Sequence, residues 1–211
     1  DLEQVAALKP DLIVGADWLD PADQSIPYEQ LSVIAPTALF EWRQAAGNWP
    51  VEAAGVAAAL GKEAQMDALR EDYEAYAAEI NETYAGQLAA FTWDLVSATP
   101  SNWYLYGPSS SHGQVAAAAG VKFGAAATQG EGYIEESLER FDLLANTDVL
   151  MAPMPGEGGL DVLDDVPTFQ SLPALRNGRT FATAYFFPSS YGLSTAFLGD
   201  VAAALKTLSS D

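Results

Sequence analysis

The longest periodic stretch of the chain is KEAQMDALREDYEAYAAEINETYA, residues Lys62–Ala85. Its apolar side chains recur every three or four residues, which is the spacing of one helix face. Neither glycine nor proline interrupts the stretch up to its last residue, so it predicts one continuous helix about 36 Å long. That length is close to the diameter of a small domain, so the helix can bridge two lobes. Its apolar positions are Met66, Leu69, Tyr73, Ala77, Ile80 and Tyr84.

Short helices and strands precede this helix. Helices are predicted over 2–8, from Pro27 and over 50–60, and strands at 12–14 and 33–35, the second ending before a proline. Alternating helix and strand at this spacing indicates a parallel sheet. Two strands are too few for an independent lobe. Because the chain starts inside the first predicted helix, we expect it to be N-terminally truncated.

The pattern after the long helix is again that of an α/β unit. Together these elements predict an α/β fold with two lobes. Each lobe carries a parallel-type sheet, and one long inter-lobe helix joins the two lobes. The predicted boundaries are 1–61 for the remainder of the N-terminal lobe, 62–85 for the helix and 86–211 for the C-terminal lobe. Predicted strands are 91–98, 102–106, 148–152 and 179–183, and predicted helices are 114–119, 138–144 with Ser137 as N-cap, and 193–208.

Charge and composition limit the classes of partner. The chain has 9 Lys and Arg against 29 Asp and Glu, a formal net charge of −20. Nucleic acids and anionic membrane surfaces bind clustered basic residues, so both are excluded as partners. With no Cys and one His, the chain can build neither a thiolate site nor a site of several histidines. No apolar run reaches the roughly 20 residues that cross a bilayer, and we expect a monomer.

A weak internal repeat links the two predicted lobes. Residues Leu2–Leu8 followed by Asp11 resemble residues Leu138–Leu144 followed by Asp148. Each copy is read as a Leu-Glu helix that leads into a buried strand. The match in both identity and position favours two related lobes.

The segment LEQVAALKPDLIV, residues 2–14, resembles the signature of the iron-siderophore, haem and cobalamin substrate-binding proteins of ABC importers. The likeness continues at 34–37, 60–62, 137–139 and 172–179. It implies two α/β lobes joined by a long stiff helix, an extracytoplasmic location, either periplasmic or lipid-anchored, and no enzymatic activity. It also implies docking onto the importer's permease subunits through one glutamate per lobe, at Glu3 and Glu139.

The loops after the predicted strands are rich in aromatic residues. Ligands of open α/β sheets bind beyond the carboxyl ends of strands, and rings supply flat apolar area for a bulky metal chelate. Arg43 is the basic residue closest to these loops, with Arg176 and Arg179 as further candidates, whereas burying an anionic complex requires several cations. A neutral or cationic hydroxamate-type ferric siderophore is therefore favoured, with no separate cofactor. The predicted ligand-binding residues are Trp18, Trp42, Arg43, Trp103, Tyr104, Tyr106, Tyr185, Phe187 and Tyr191.

The sequence is also compatible with other functions. The ligand of such a receptor can instead be haem or cobalamin, or a bare metal ion, although one histidine argues against the last. An α/β hydrolase built around His112 lacks the G-x-S-x-G run that such enzymes need. An interaction protein without a small ligand is the fourth alternative.

Overall fold

A computed structural model describes residues 1–17, 26–41, 49–130 and 132–209. The fold is α/β, as predicted. The helices are α1 (Leu2–Leu8), α2 (Tyr28–Ile34), α3 (Trp49–Leu60), α4 (Glu63–Thr83), α5 (Ala85–Ala90), α6 (Ser111–Ala118), α7 (Pro167–Gln170), α8 (Pro173–Arg176) and α9 (Tyr191–Thr207). The strands are β1 (Ile13–Asp17), β2 (Thr37–Glu41), β3 (Thr92–Ala98), β4 (Asn102–Tyr106), β5 (Lys122–Phe123), β6 (Tyr133–Ser137), β7 (Val149–Pro153) and β8 (Thr180–Thr183). Single 3-10 turns occupy Phe141–Leu144 and Leu160–Leu163.

The long helix α4 is unbroken over 21 residues, which confirms the helix predicted from its periodicity. Tyr73, Ala77 and Ile80 form its buried face, because residues four and three apart share one side of a helix. This face packs against α9 and α6 and joins the core of the downstream sheet. The second half of the helix is therefore anchored on the core of the downstream sheet.

The upstream sheet consists of two parallel strands, β1 and β2, with Ile13 paired to Thr37. The predicted strand at 33–35 is wrong, because α2 continues to Ile34 and the strand begins only at Thr37. Pro36 explains the offset: a proline disfavours helical geometry in the residue before it, and Ala35 is accordingly extended, with φ −157°. The β-branched residues before Pro36 resemble a strand in sequence but complete a helix in the fold.

The downstream sheet contains parallel strands, as predicted, together with antiparallel pairs. Its strand order is β6-β4-β3-β7-β8, and β5 pairs with β3. Strands β3, β5, β7 and β8 run parallel to one another, whereas β4 is antiparallel to both β3 and β6. The carboxyl ends of β3, β7 and β8 therefore lie at one edge of the sheet, with β4 turned to place residues beside them.

Both faces of this sheet are covered. One face packs against α4, α6 and α9 and buries Trp93 and Leu95; the other packs against α7, α8 and the 3-10 turns and buries Val96 and Ala98. The strands predicted at 91–98, 102–106, 148–152 and 179–183 are confirmed to within a residue or two. Among the helices of the described residues, none combines the length and apolar character that crossing a bilayer requires.

The predicted helix over 138–144 is wrong. Ser137 is the last residue of β6 and not a helix cap, and only the four residues Phe141–Leu144 are helical, as a 3-10 turn. Pairing with β4 holds residues 133–137 extended, because five successive residues are in register with that strand. Of the two copies of the internal repeat, only the first therefore forms the predicted helix, α1, which leads to β1.

Candidate functional site

Aromatic side chains from four separate segments meet on one face of the downstream sheet. Side chains alternate between faces along a strand, so β4 buries Trp103 and Leu105 on one face and presents two tyrosines on the other. Strand β6, the first turn of α6 and the loop between β8 and α9 supply the remaining rings. We call this group the ring cluster: Tyr104, Tyr106, His112, Tyr133, Phe186 and Phe187.

Tyr106 lies at the centre of the ring cluster. Its hydroxyl and that of Ser97 are hydrogen-bonded at 3.0 Å, and burial raises the pKa of the phenol, so Tyr106 is neutral at physiological pH. Edge-to-face and tilted ring pairs are favourable beyond their buried area. The ring centroids nearest to Tyr106 are those of His112 at 4.5 Å, Phe186 at 5.6 Å, Phe187 at 5.7 Å, Tyr133 at 5.9 Å and Tyr104 at 6.5 Å.

His112 is the most deeply buried member of the ring cluster, only 1% exposed. Its Nε2 atom has no hydrogen-bond partner within the described part of the chain. Burial lowers the pKa of His112 to about 3, because desolvation disfavours the imidazolium. The ring is positioned by the N-cap of α6, where Ser110 Oγ accepts a hydrogen bond from the Gly113 amide at 3.0 Å. His112 therefore acts here as a neutral ring.

The loop between β8 and α9 carries the exposed part of the site. Its start is fixed by Thr183 Oγ1, which donates to Asp200 at 2.6 Å and accepts from the Tyr185 amide at 3.0 Å. Phe186 is buried against His112, whereas Tyr185 is 40% and Phe187 57% exposed. Exposed large rings on a fixed loop are available for a ligand.

A small pocket of about 170 Å³ opens between this loop and the loop that follows β7. We call it the loop pocket. Its walls include Tyr185, Phe186, Phe187 and Leu193, and Glu157 contributes a carboxylate. Phe186 and Phe187 belong to both the loop pocket and the ring cluster, so the two are contiguous.

A larger depression of about 430 Å³ lies at the other face of the sheet, beside the edge strand β8. Its lining mixes aliphatic residues such as Leu160, Leu175 and Ala182 with two phenylalanine rings and the carboxylates Asp161 and Asp164. It shares no residue with the ring cluster.

Basic residues are placed away from the rings. Arg179 lies over Phe91 at 4.7 Å, at the edge of the sheet where β3 begins, opposite the loop pocket. Arg140 pairs with Asp142 at 3.0 Å and with Glu136 at 3.8 Å. Among the described residues, no Lys or Arg lines the loop pocket or belongs to the ring cluster.

The structure brings together four of the predicted ligand residues: Tyr104, Tyr106 and Phe187 in the ring cluster and Tyr185 in the loop pocket. Trp103 is not with them; it is 1% exposed on the opposite face and stacks on Phe141 at 5.4 Å, because strand alternation separates it from its neighbour. Its Nε1 atom donates to the Ser137 carbonyl at 2.9 Å. Trp103 is a core residue in this structure, away from the ring cluster.

Tyr191 is also removed from the ring cluster. It is buried in an aromatic trio with Trp49 at 4.9 Å and Tyr73 at 5.6 Å, where α3, α4 and α9 meet. This packing leaves the Tyr191 ring 8% exposed, so its predicted contact with a ligand is not available in this structure. The predicted residues Trp18, Trp42 and Arg43 lie outside the described residues.

The predicted ligand-binding residues do not include Tyr133, His112, Phe186 or Glu157, although the last two lie in loops that follow predicted strands. The alternation in Tyr133–Ser137 is the signal for the first, since a period of two indicates a strand with one presented face. His112 has no comparable signal, because its place beside Tyr106 and Phe186 depends on the packing of α6 against segments distant in the sequence.

The two predicted docking glutamates are both exposed. Glu3 lies in the first turn of α1, where its amide donates to Asp1 Oδ1 at 2.9 Å. Glu139 lies in the turn after β6 rather than at a helix start, so a helix dipole can stabilise the carboxylate of Glu3 but not that of Glu139.

Comparison with known proteins identifies the fold. A family model described as "Periplasmic binding protein" matches residues 1–184. No curated protein gives a significant match to the chain. The siderophore periplasmic binding protein from the fuscachelin gene cluster of Thermobifida fusca is 26% identical, with a TM-score of 0.85 over 98% of this chain and 78% of that one.

More distant structures share the fold. Staphylococcus aureus SirA, complexed with staphyloferrin B, has a TM-score of 0.74 at 21% identity, covering 97% of this chain and 74% of that one. Streptococcus pneumoniae PiaA, in complex with ferrichrome, has a TM-score of 0.71 at 20% identity, covering 99% and 74%. The prediction of a binding protein rather than an enzyme is confirmed by the family, and on the match over residues 1–184 this chain belongs to the periplasmic binding protein family of ABC-importer substrate-binding components.

Proposed function

We propose that the protein captures a ferric siderophore outside the cytoplasm and delivers it to the permease of an ABC importer. The observation that carries this proposal is the ring cluster, whose exposed rings lie on one contiguous face together with the loop pocket. The relative at 26% identity is a siderophore-binding protein of the same family. Aromatic rings on rigid elements suit a bulky, largely apolar chelate, because they bury area without much loss of side-chain freedom.

The electrostatics of the site favour a hydroxamate-type complex. The described walls of the loop pocket contain one carboxylate and no basic side chain. Burying a polyanionic catecholate or citrate complex there would leave its charge unpaired, which costs several kcal/mol. Fold neighbours are complexed with ferrichrome in one case and staphyloferrin B in another, so charge at the site is a better guide to the ligand than the fold.

We place the ligand between an upstream lobe, residues 1–61, and a downstream lobe, residues 86–211, with the helix of 62–85 joining them. Two separate sheets, one in each part of the described chain, support this division. We further propose that the protein is a monomer, held in the periplasm or by a lipid anchor, and that Glu3 and Glu139 contact the permease.

Titration of the protein with ferric chelates tests the function. Quenching of tryptophan fluorescence is expected with a ferric hydroxamate at submicromolar concentration, and little quenching with a ferric catecholate. Tight binding of a ferric catecholate with no response to the hydroxamate would overturn the assignment of ligand class. Tight binding of haem or cobalamin alone would replace the siderophore.

Phe187→Ala is expected to weaken hydroxamate binding roughly tenfold, because it removes an exposed ring that both the ring cluster and the loop pocket share. Tyr28→Ala is the matched control, since Tyr28 is a similarly exposed ring, 50% accessible, on α2. The same quenching titration measures both variants. Equal affinities of wild type and Phe187→Ala would remove the ring cluster from the binding site.

Charge reversal tests the docking glutamates. Glu3→Lys or Glu139→Lys is expected to lower importer-dependent uptake roughly tenfold while ligand affinity stays unchanged, since each replaces an attraction to a basic permease surface by a repulsion. Glu71→Lys, on the outer face of α4, is the control for net charge. Unchanged uptake with either docking variant would refute the role of that glutamate.

A further inference from the structure

The geometry points to the loop pocket as a subsite for an ammonium group, or another organic cation, carried by the bound chelate, with Glu157 as the residue that selects it. This inference rests on the proposed function and adds a specificity-determining residue to it. Ligand sites for whole drug-sized molecules occupy about 300–1,000 Å³. The loop pocket, at about 170 Å³, accommodates one arm of such a ligand rather than the chelate itself.

The lining of the loop pocket has the chemistry of a cation site. Tyr185, Phe186 and Phe187 contribute rings, and the negative face of an aromatic ring attracts a cation, Tyr and Phe included. Glu157 adds a full negative charge on the same lining. It makes no hydrogen bond or ion pair with any other side chain of the described chain, so its carboxylate is free to pair with a ligand.

The loop that carries Glu157 is held in place before any ligand arrives. Gly158 accepts a hydrogen bond from the Ala98 amide at 2.9 Å, which ties the loop to the end of β3, and the Glu157 amide donates to Met154 at 3.0 Å. Gly156 and Gly158 have φ of 79° and 88°, a region that glycine adopts without strain. Because the backbone is already fixed, pairing of Glu157 with a ligand loses only the conformational freedom of its side chain.

Because the loop pocket is continuous with the ring cluster, each can hold a different part of the same ligand. Phe186 and Phe187 contribute to both sites, so a chelate that rests on the ring cluster can extend one arm into the loop pocket. A formal net charge of −20 adds a long-range potential that favours cationic ligands over anionic ones.

A pair of chelates that differ only at the arm tests the subsite. Ferrioxamine with its free terminal primary amine and the same ferric complex with that amine acetylated are titrated into wild type, Glu157→Gln and Glu71→Gln. Wild type and the Glu71→Gln control are expected to prefer the free amine about tenfold at low salt, and Glu157→Gln to discriminate less than about twofold. The preference should shrink as salt is raised, because the pocket is open to solvent.

The outcomes separate the subsite from the function. Equal binding of the two chelates by wild type, or an undiminished preference in Glu157→Gln, overturns the subsite and leaves the siderophore function intact. Binding of neither chelate by folded wild type overturns the hydroxamate ligand and the subsite together. Circular dichroism of each variant establishes that it is folded.

Discussion

His112→Gln is expected to make the protein more resistant to acid: between pH 7 and pH 4.5 its free energy of unfolding should fall by about 3 kcal/mol less than that of wild type. Burial lowers the pKa of His112 to about 3, against an ordinary value of 6.5. Below pH 6.5 the unfolded chain therefore binds a proton that the folded chain does not, and each pH unit lowers the free energy of unfolding by about 1.4 kcal/mol. The loss continues until pH approaches 3. Glutamine does not titrate and removes this loss.

Urea unfolding followed by far-ultraviolet circular dichroism at pH 7 and at pH 4.5 measures the effect. The informative quantity is the change with pH in the difference between wild type and variant, since all other titrating groups are common to both. His112→Phe is a second variant, chosen because the neighbouring side chains are aromatic. If the difference in free energy of unfolding between wild type and both variants does not change with pH, His112 takes up its proton in the folded chain as readily as in the unfolded chain. That result would contradict the lowered pKa.

Asp94→Asn is expected to have the opposite effect and to make the protein less resistant to acid. Over the same pH range, its free energy of unfolding should fall by about 2 kcal/mol more than that of wild type. Asp94 is fully buried on β3, and desolvation raises its pKa from 3.8 to about 6, despite hydrogen bonds from Thr147 and Gly124. The folded chain therefore binds a proton that the unfolded chain does not. Its stabilising contribution is fully present below pH 3.8 and is lost as pH rises through about 6.

The same unfolding experiment measures Asp94→Asn, and the two substitutions control each other because their slopes have opposite signs. In wild type the contributions of His112 and Asp94 nearly cancel between pH 6 and pH 4. The double variant should restore the wild-type slope if the two sites are independent. If the free energy of unfolding relative to wild type changed with pH in the same direction in both single variants, the pKa shift assigned to one of the two residues would be wrong.

The fold was largely predictable where local pattern and tertiary environment agree. Helix α4 shows this: its apolar positions recur at helical spacing, and the same positions, Tyr73, Ala77 and Ile80, are buried. Strand β7 is a short run of apolar residues and is buried throughout. In both elements the pattern that burial requires is visible in the sequence itself.

Prediction failed where a distant contact decides the local structure. Residues 138–144 have a helical pattern similar to that of α1, but the pairing of β6 with β4 holds the preceding residues extended. Of the candidate site, the tyrosines of β4 were identified, but Trp103 was grouped with them although strand alternation sends it to the opposite face. Which face of β4 carries the site depends on the register of its pairing with β3 and β6, and that register has no signal in the local sequence.

The aromatic trio of Trp49, Tyr73 and Tyr191 ties α3, which follows the upstream sheet, to α4 and α9 of the downstream core. Large relative movement of the two sheets would have to pull the Trp49 ring, 4% exposed, out of that core. A receptor built in this way meets its cargo with the binding surface already formed, so encounter is limited by diffusion and orientation rather than by rearrangement. Competing cargoes are then distinguished mainly by their residence times.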